Sequence, residues 1–194
     1  MLFTTAPACV YASETAVEID QTNFPDTVFR NYVKRFDKNS DGELSSSELK
    51  AVKEIEIKKS NVRKLDGIEY FTKLTTLDCS GNRMTSLSLN KNKRLKELDC
   101  SDNKLTSLNV SKNTKLTTLD CSGNNLKSLN VSNNSKLTKL DCHDNSLTSL
   151  DVSKNPSLEK LNCSDNKLTK LDLSRNDSLK SKDLDCDKNV TVKR

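Results

Sequence analysis

The sequence predicts a repeat solenoid of short parallel strands with little helix, preceded by a small helical cap. Three observations predict it. Five gapless units of 21 residues run from Leu74 to Ser178 on the pattern L-x-x-L-D-C-S-x-N-x-L-T-S-L-N-V-S-x-N-x-x. Self-similarity at that period means a stack in which each unit buries its apolar edge only against its neighbours. The 194 residues are 33% apolar, 4% aromatic and 30% charged, too lean for a compact globule unless the apolar residues recur at fixed spacing, as they do here. All eight aromatic residues (Phe3, Tyr11, Phe24, Phe29, Tyr32, Phe36, Tyr70 and Phe71) precede the first regular unit. The chain therefore divides into an aromatic plug and a ring-free column of Leu, Val and Cys.

Residues 1–12, MLFTTAPACVYA, are uncharged and apolar or small, and lead into Ser13-Glu14-Thr15. They resemble the back half of a secretory signal cleaved after Ala12, without its basic front; an apolar N-terminal strand is the alternative. The expected divisions are this remnant at 1–12, a helical cap at 13–51 and the solenoid at 52–194. No stretch reaches the roughly 18 apolar residues of a membrane span.

Within the cap, Phe29, Tyr32, Val33 and Phe36 stand at helical spacing, with Pro25 near the helix start. There follows Asp37-Lys-Asn39-Ser-Asp41-Gly42-Glu43-Leu44-Ser45-Ser-Ser-Glu48. This run resembles an EF-hand loop, with oxygen side chains at positions 1, 3 and 5, Gly at 6, an apolar residue at 8 and Glu at 12. The resemblance implies Ca²⁺ as cofactor, held by Asp37, Asn39, Asp41, Glu43, Ser45 and Glu48. A single loop with Asn39 and Ser45 in place of acids implies an affinity of about 10⁻⁴ to 10⁻³ M. The bland alternative is an acidic turn that binds no metal. Ser45-x-x-Glu48 can cap the following helix, and a cap covers the apolar edge of the first coil.

Val52, Ile55, Ile57, Val62, Leu65, Ile68 and Phe71 form a longer opening turn. Each regular unit then carries its pattern twice, as in Leu95, Leu98, Cys100, Asn103 and again Leu105, Leu108, Val110, Asn113. The alternating inward positions are the period-two mark of a strand, so both sides of the coil are expected to be extended. Two Asn columns (82, 103, 124, 145, 166 and 92, 113, 134, 155, 176) fall at the turns, where a buried amide can satisfy turning backbone in the next coil. Cys79, Cys100, Cys121, Cys142 and Cys163 recur every 21 residues. Parallel side chains suit packing as reduced thiols better than the torsion of a disulfide, the alternative at this spacing. After Leu179 the register slips, and Leu184, Cys186 and Asn189 return two residues late; the chain is read as breaking off inside a repeat.

L-x-x-L-x-C-x-x-N resembles the leucine-rich repeat, and the doubled 21-residue form resembles the bacterial subclass with nested half-repeats known as IRREKO. The opening turn KEIEIKKSNVRKLDGIEYFTKL resembles the first repeat of internalins. The resemblance covers 74–178 fully and implies a secreted or cell-surface binding scaffold.

The formal charge of +5 is modest, which disfavours strong polyanion binding and nucleic acid as a partner. A single His leaves no Ser-His-Asp or His-based metal catalysis, and no enzyme is expected. His143 follows inward Cys142 and so faces out. Asp78, Asp99, Asp120 and Asp141, then Asn162, form an outward acidic column, flanked by Lys96, Lys139 and Lys160; Lys91, Lys112, Lys154 and Arg175 form a basic column on the other half. Coil-to-coil variation at Lys96, Glu97, Glu159 and Lys160, together with the outward acidic column at Asp99, Asp120 and Asp141, Lys139 beside it and outward His143, gives the candidate partner-binding residues. Sequons inside the coils favour a bacterial source. The expected function is a monomeric, non-enzymatic binding module for a protein or surface glycopolymer. The alternative is a structural spacer of a larger surface protein, favoured by the uniform Thr75, Thr117 and Thr138.

Overall fold

The computed structural model describes residues 16–194; the signal-like stretch 1–12 lies outside the described residues. The chain opens with strand β1 (Val17–Glu18) and helix α1 (Thr27–Val33), which runs into a 3₁₀ turn, Lys34–Phe36. Strand β2 (Glu43–Leu44) pairs antiparallel with β1, and α2 (Ser46–Ala51) follows. Asp26 caps α1, whose Phe29 and Val33, one turn apart, are the buried side chains. Ser45 and Glu48 form the expected capping box on α2.

Phe24 is the hub of the aromatic plug, its ring 5.9 Å from Phe29, 5.8 Å from Tyr70 and 6.4 Å from Phe71. Gly67 lies against it at φ +101°, and a Cβ there would stand 2.4 Å from the Phe24 ring, so only glycine fits. The plug also closes the edge of the sheet. The Glu56 amide on the first strand donates to the Tyr32 hydroxyl at 2.9 Å, giving a partner to a donor that has no neighbouring strand.

The solenoid strands are β3 (Glu54–Glu56), β4 (Thr76–Asp78), β5 (Glu97–Asp99), β6 (Thr118–Asp120), β7 (Lys139–Asp141), β8 (Lys160–Asn162), β9 (Lys170–Asp172), β10 (Leu184–Asp185) and β11 (Thr191–Lys193). Seven of them form one parallel sheet in the order β10-β8-β7-β6-β5-β4-β3. Its central register runs Ile55, Leu77, Leu98, Leu119, Leu140, Leu161, Leu184, and all but Leu184 are almost fully buried. The late return after Leu179 is thus real. A 3₁₀ turn at Ser181–Asp183 takes up the extra residues and sets Leu184 beside Leu161.

The other side of the coil corrects an expectation. It is not extended throughout, and only β9 and β11 pair there. In the earlier coils one backbone bond per coil crosses at the start of that side, for example Lys104 N to Met84 O at 2.9 Å and Asn125 N to Leu105 O at 2.8 Å. One bond per coil is too few for a ladder. In the last coil Thr191 N to Thr169 O and Leu173 N to Lys193 O extend the contact into a strand pair.

Both Asn columns stand at the turns as expected, but they reach back into the preceding coil rather than forward into the next. Asn103 Nδ2 donates to Cys79 O at 3.1 Å while its Oδ1 accepts from Met84 N at 3.0 Å. Asn113 Nδ2 donates to Leu89 O and Asn92 O. The second column, Asn92 to Asn176, is buried, and there Nδ2 alone makes the contact, Oδ1 having no protein donor. The thiols of the column are free. Those of Cys79, Cys100, Cys121 and Cys142 each donate to the carbonyl of the following coil at 3.4 to 3.5 Å. Burial pushes all of them up from the ordinary thiol range, Cys163 to about 12.

Candidate binding face and calcium loop

On the outward face of the sheet, alternation exposes the first and third residue of each strand around the buried Leu. The first column reads Thr76, Glu97, Thr118, Lys139, Lys160, and the third reads Glu56, Asp78, Asp99, Asp120, Asp141, Asn162, Asp185. The carboxylates do not bond chiefly to the adjacent coil. Asp99 accepts from the Ser101 amide at 3.0 Å and its hydroxyl at 2.6 Å, and Asp78 and Asp120 accept in the same way from Ser80 and Ser122. This is an Asx turn that bends the chain out of the strand. A coil-to-coil bond in this column joins Asn162 Nδ2 to Asp141 Oδ2 at 3.3 Å.

His143 sits outside, as expected, and takes the place of the serine, with Nδ1 2.8 Å from Asp141 Oδ1. That bond to Asp141 raises its pKa. Asp120 is pushed up by burial, with Asp99 and Asp141 adding to the rise. For Asp78 burial pushes upward too, but the Ser80 bonds and Lys58 at 3.3 Å outweigh it and the pKa is lowered.

A hollow of about 560 Å³ opens on this face towards β10. It brings Asp120, Lys139, Asp141 and Lys160 together with Lys182 and Asp183. Glu159 lines a neighbouring depression with Lys160 and Lys182, whereas Lys96, Glu97 and Asp99 lie nearer the cap, on and just before β5. Lys182 and Asp183 were missed in the sequence. The signal was the two-residue insertion itself, because residues added to a fixed coil must bulge out of it.

The loop 37–48 begins at the end of the 3₁₀ turn and ends inside α2. Asp37 Oδ1 accepts from Ser40 N at 2.7 Å and Oδ2 from Gly42 N at 3.0 Å. Gly42 has φ +86° and Ser40 φ +59°, the left-handed conformations that so tight a turn needs. Leu44, the apolar eighth position, is buried and pairs with Val17. The donors are hard oxygens, which fits a hard cation. Glu48 is turned towards the backbone, Oε1 accepting from Lys38 N at 2.6 Å and Oε2 from Ser45 N at 2.9 Å. These bonds, led by the one from the Ser45 hydroxyl, lower its pKa. Among the described residues no three His, Cys, Asp or Glu side chains converge as a metal cluster. No helix among them is long and apolar enough to cross a membrane.

A family description of leucine-rich repeats in two copies matches residues 135–189. No curated protein matches the chain by sequence. Among solved structures, the functional domain of InlJ from Listeria monocytogenes, which includes a cysteine ladder, is similar with TM-score 0.68 and 33% identity over 93% of this chain and 44% of that one. A leucine-rich-repeat protein of Leptospira interrogans gives TM-score 0.66 and 22% identity over 77% of this chain and 41% of its own. The internalin inlF of Listeria monocytogenes gives 0.63 and 21% over 93% and 59%. The chain thus spans less than two thirds of the length of each. What they share with this chain is the leucine-rich-repeat architecture. The chain has the leucine-rich-repeat fold, carries the repeat itself at 135–189, and is similar to the internalins.

Proposed function

We propose that the chain is an extracellular, non-enzymatic module that binds a protein along the outward face of its parallel sheet. The observation that carries this reading is the contrast between the two faces of one sheet. Inward positions are fixed as Leu and Cys, while outward neighbours change from Glu97 to Thr118 to Lys139 to Lys160 in successive coils. A stack needs only the inward constancy, so the outward variation is free to specify a partner. The hollow at Asp120, Lys139 and Asp141 offers both charge signs at close range. Similarity to internalins supports the extracellular setting, and a surface glycopolymer is the alternative ligand.

The spacer reading draws on Thr75, Thr117 and Thr138, whose hydroxyls all donate to the coil before, at 3.0 to 3.1 Å. Their uniformity is used up in stacking and leaves the charged columns unexplained. The nested IRREKO reading of each coil is supported by the Asn in each half, both reaching back to the preceding coil.

The EF-hand-like loop would hold Ca²⁺ through Asp37, Asn39, Asp41, Glu43, Ser45 and Glu48. The ion supplies charge that ties α1 to α2 and so firms the cap on the first coil. Residues 13–51 then act as that cap and 52–194 as the binding solenoid.

The test is capture of surface proteins on the immobilised chain, compared with the triple variant Glu97→Lys, Lys139→Glu, Lys160→Glu. Loss of a protease-sensitive ligand in the variant supports the reading. Equal capture by both, or none by either, overturns it in favour of the spacer.

A further inference from the structure

Each coil returns to the sheet through two successive tight turns hinged on a buried Asn. In the second unit Asn113 N bonds Val110 O, and Leu116 N bonds Asn113 O. Because the Asn points inward, the residue before it and the residue two after it are driven outward, and in all five units both are exposed. Of these ten positions seven are basic and none is acidic. Lys91, Lys112, Lys154 and Arg175 precede the Asn; Arg94, Lys115 and Lys136 follow it.

The other Asn turn of each coil serves as an internal control. There the residues immediately on either side of Asn82, Asn103, Asn124, Asn145 and Asn166 include three basic and three acidic side chains, whereas those immediately on either side of Asn92, Asn113, Asn134, Asn155 and Asn176 include five basic ones and a single acid, Asp177. Equivalent turn positions in the same fold therefore differ sharply in charge, and stacking does not demand the cations. The seven exceed the formal +5 of the whole chain, so the rest is net negative and the modest total conceals a segregated basic ridge. None of the seven is ion-paired among the described residues. With coils about 4.8 Å apart the ridge is about 19 Å long. Its neighbours lie inside the roughly 8 Å screening length at physiological salt, so their fields add.

We infer that this ridge binds a linear polyanion, namely a phosphodiester-bearing surface glycopolymer laid across the coils. A regular row of cations matches a chain whose charges recur at regular intervals, where a globular protein would present an irregular surface. Exposed Asn133, Ser135, Ser157 and Ser178 lie between the cations and can bond polyol hydroxyls. Nucleic acid is disfavoured because residues 72–194 contain no aromatic ring on which a base could stack.

The test titrates the full chain with poly(glycerol phosphate) at several salt concentrations. One variant carries Lys91→Asn, Lys112→Asn and Lys154→Asn, copying Asn133 of the third unit. A control of equal charge loss carries Arg83→Asn, Lys104→Asn and Lys167→Asn on the other turn. The expected result is binding that weakens with salt, at least about tenfold weaker for the ridge variant, with a log–log salt slope shallower by about 2. The control stays within about twofold of the wild type. Equal loss in both variants, or no binding by the wild type, overturns the proposal. Equally tight binding of single-stranded DNA of matched charge overturns the assignment to a glycopolymer.

Discussion

Asp26 joins the cap to the solenoid by accepting from the backbone amide of Arg63 at 2.8 Å through one carboxylate oxygen, Oδ2. The same oxygen accepts from Lys64 N at 3.2 Å, while Oδ1 accepts from Val28 N and Phe29 N at the start of α1. A single side chain therefore starts one helix and satisfies the opening coil. Asp26→Ala should cost about 2 to 3 kcal/mol, a helix cap plus amides left without acceptors. The check is chemical denaturation, where a loss below 0.5 kcal/mol would show that water replaces the carboxylate.

Calcium should raise the melting temperature of the chain at millimolar concentration, in line with a site of about 10⁻⁴ to 10⁻³ M. Asp37→Ala and Glu48→Gln should abolish the increase. Calorimetry with no heat of binding at millimolar Ca²⁺ would remove the metal from the cap and leave Glu48 as a capping residue only.

The acidic column makes a signed prediction. Asp120 has a raised folded pKa, so its contribution favours folding below the ordinary carboxylate pKa and is lost as pH rises through the folded value. Asp120→Asn, which copies Asn162 two coils on, should therefore be stabilising at pH 7, by about 0.5 kcal/mol, and neutral near pH 3. Glu48 and Asp78 are lowered; their contributions are present above the unfolded carboxylate pKa and fade as pH falls through the folded values. Thermal melts from pH 2.5 to 7 separate the two signs.

His143 carries the opposite charge logic to Glu48. Its pKa is raised by Asp141, so the pair contributes below the unfolded imidazole pKa and is lost as pH rises through the folded one. His143→Ser restores the serine found at this place in other coils and should flatten the stability profile between about pH 6 and 8. An NMR titration of His143 reading at or below an unperturbed imidazole would contradict the pairing.

Thiol reagents should divide the column by position. Cys79, Cys100, Cys121, Cys142 and Cys163 are buried, and Cys186 is half-exposed. In the native protein Cys186 should be labelled first among these six, and slowly, because burial and then Asp185 and Asp187 raise its pKa. Mass spectrometry of labelled peptides reads this directly; early labelling of Cys121 would mean that the coils open.

Much of the stack was legible because its spacing is repeated five times. Leu98, Cys100, Asn103 and Asn113 each took the inward position their period assigned, and the slip after Leu179 was visible as a late Leu184. The outer side was not legible, since L-x-x-L-x-V fixes which residues face inward but not how many backbone bonds cross between coils. Nor were the partners of the Asp column, because Ser101 lies two residues along the same chain and the pattern reads equally well as a contact between coils. The hollow at Lys182 stayed hidden for a related reason, and of the turn cations the column at Lys91, Lys112, Lys154 and Arg175 was read while Arg94, Lys115 and Lys136 beside it were not. Composition sums charge along the chain, and only the coil brings residues 21 apart into one surface.

The buried amides of Asn92, Asn113, Asn134, Asn155 and Asn176 all donate towards the coil before and never towards the coil after. This amide column is therefore directional: each member finds its acceptors on the coil before it, beginning with Ile68 O and Phe71 O for Asn92, whereas the Cys thiols and strand amides such as Cys79 N donate to the coil after. Removing one amide, as in Asn113→Ala, should loosen the coils that follow it more than those that precede it. Hydrogen exchange would show this as protection lost beyond residue 113 while Leu77 and Ile55 keep theirs.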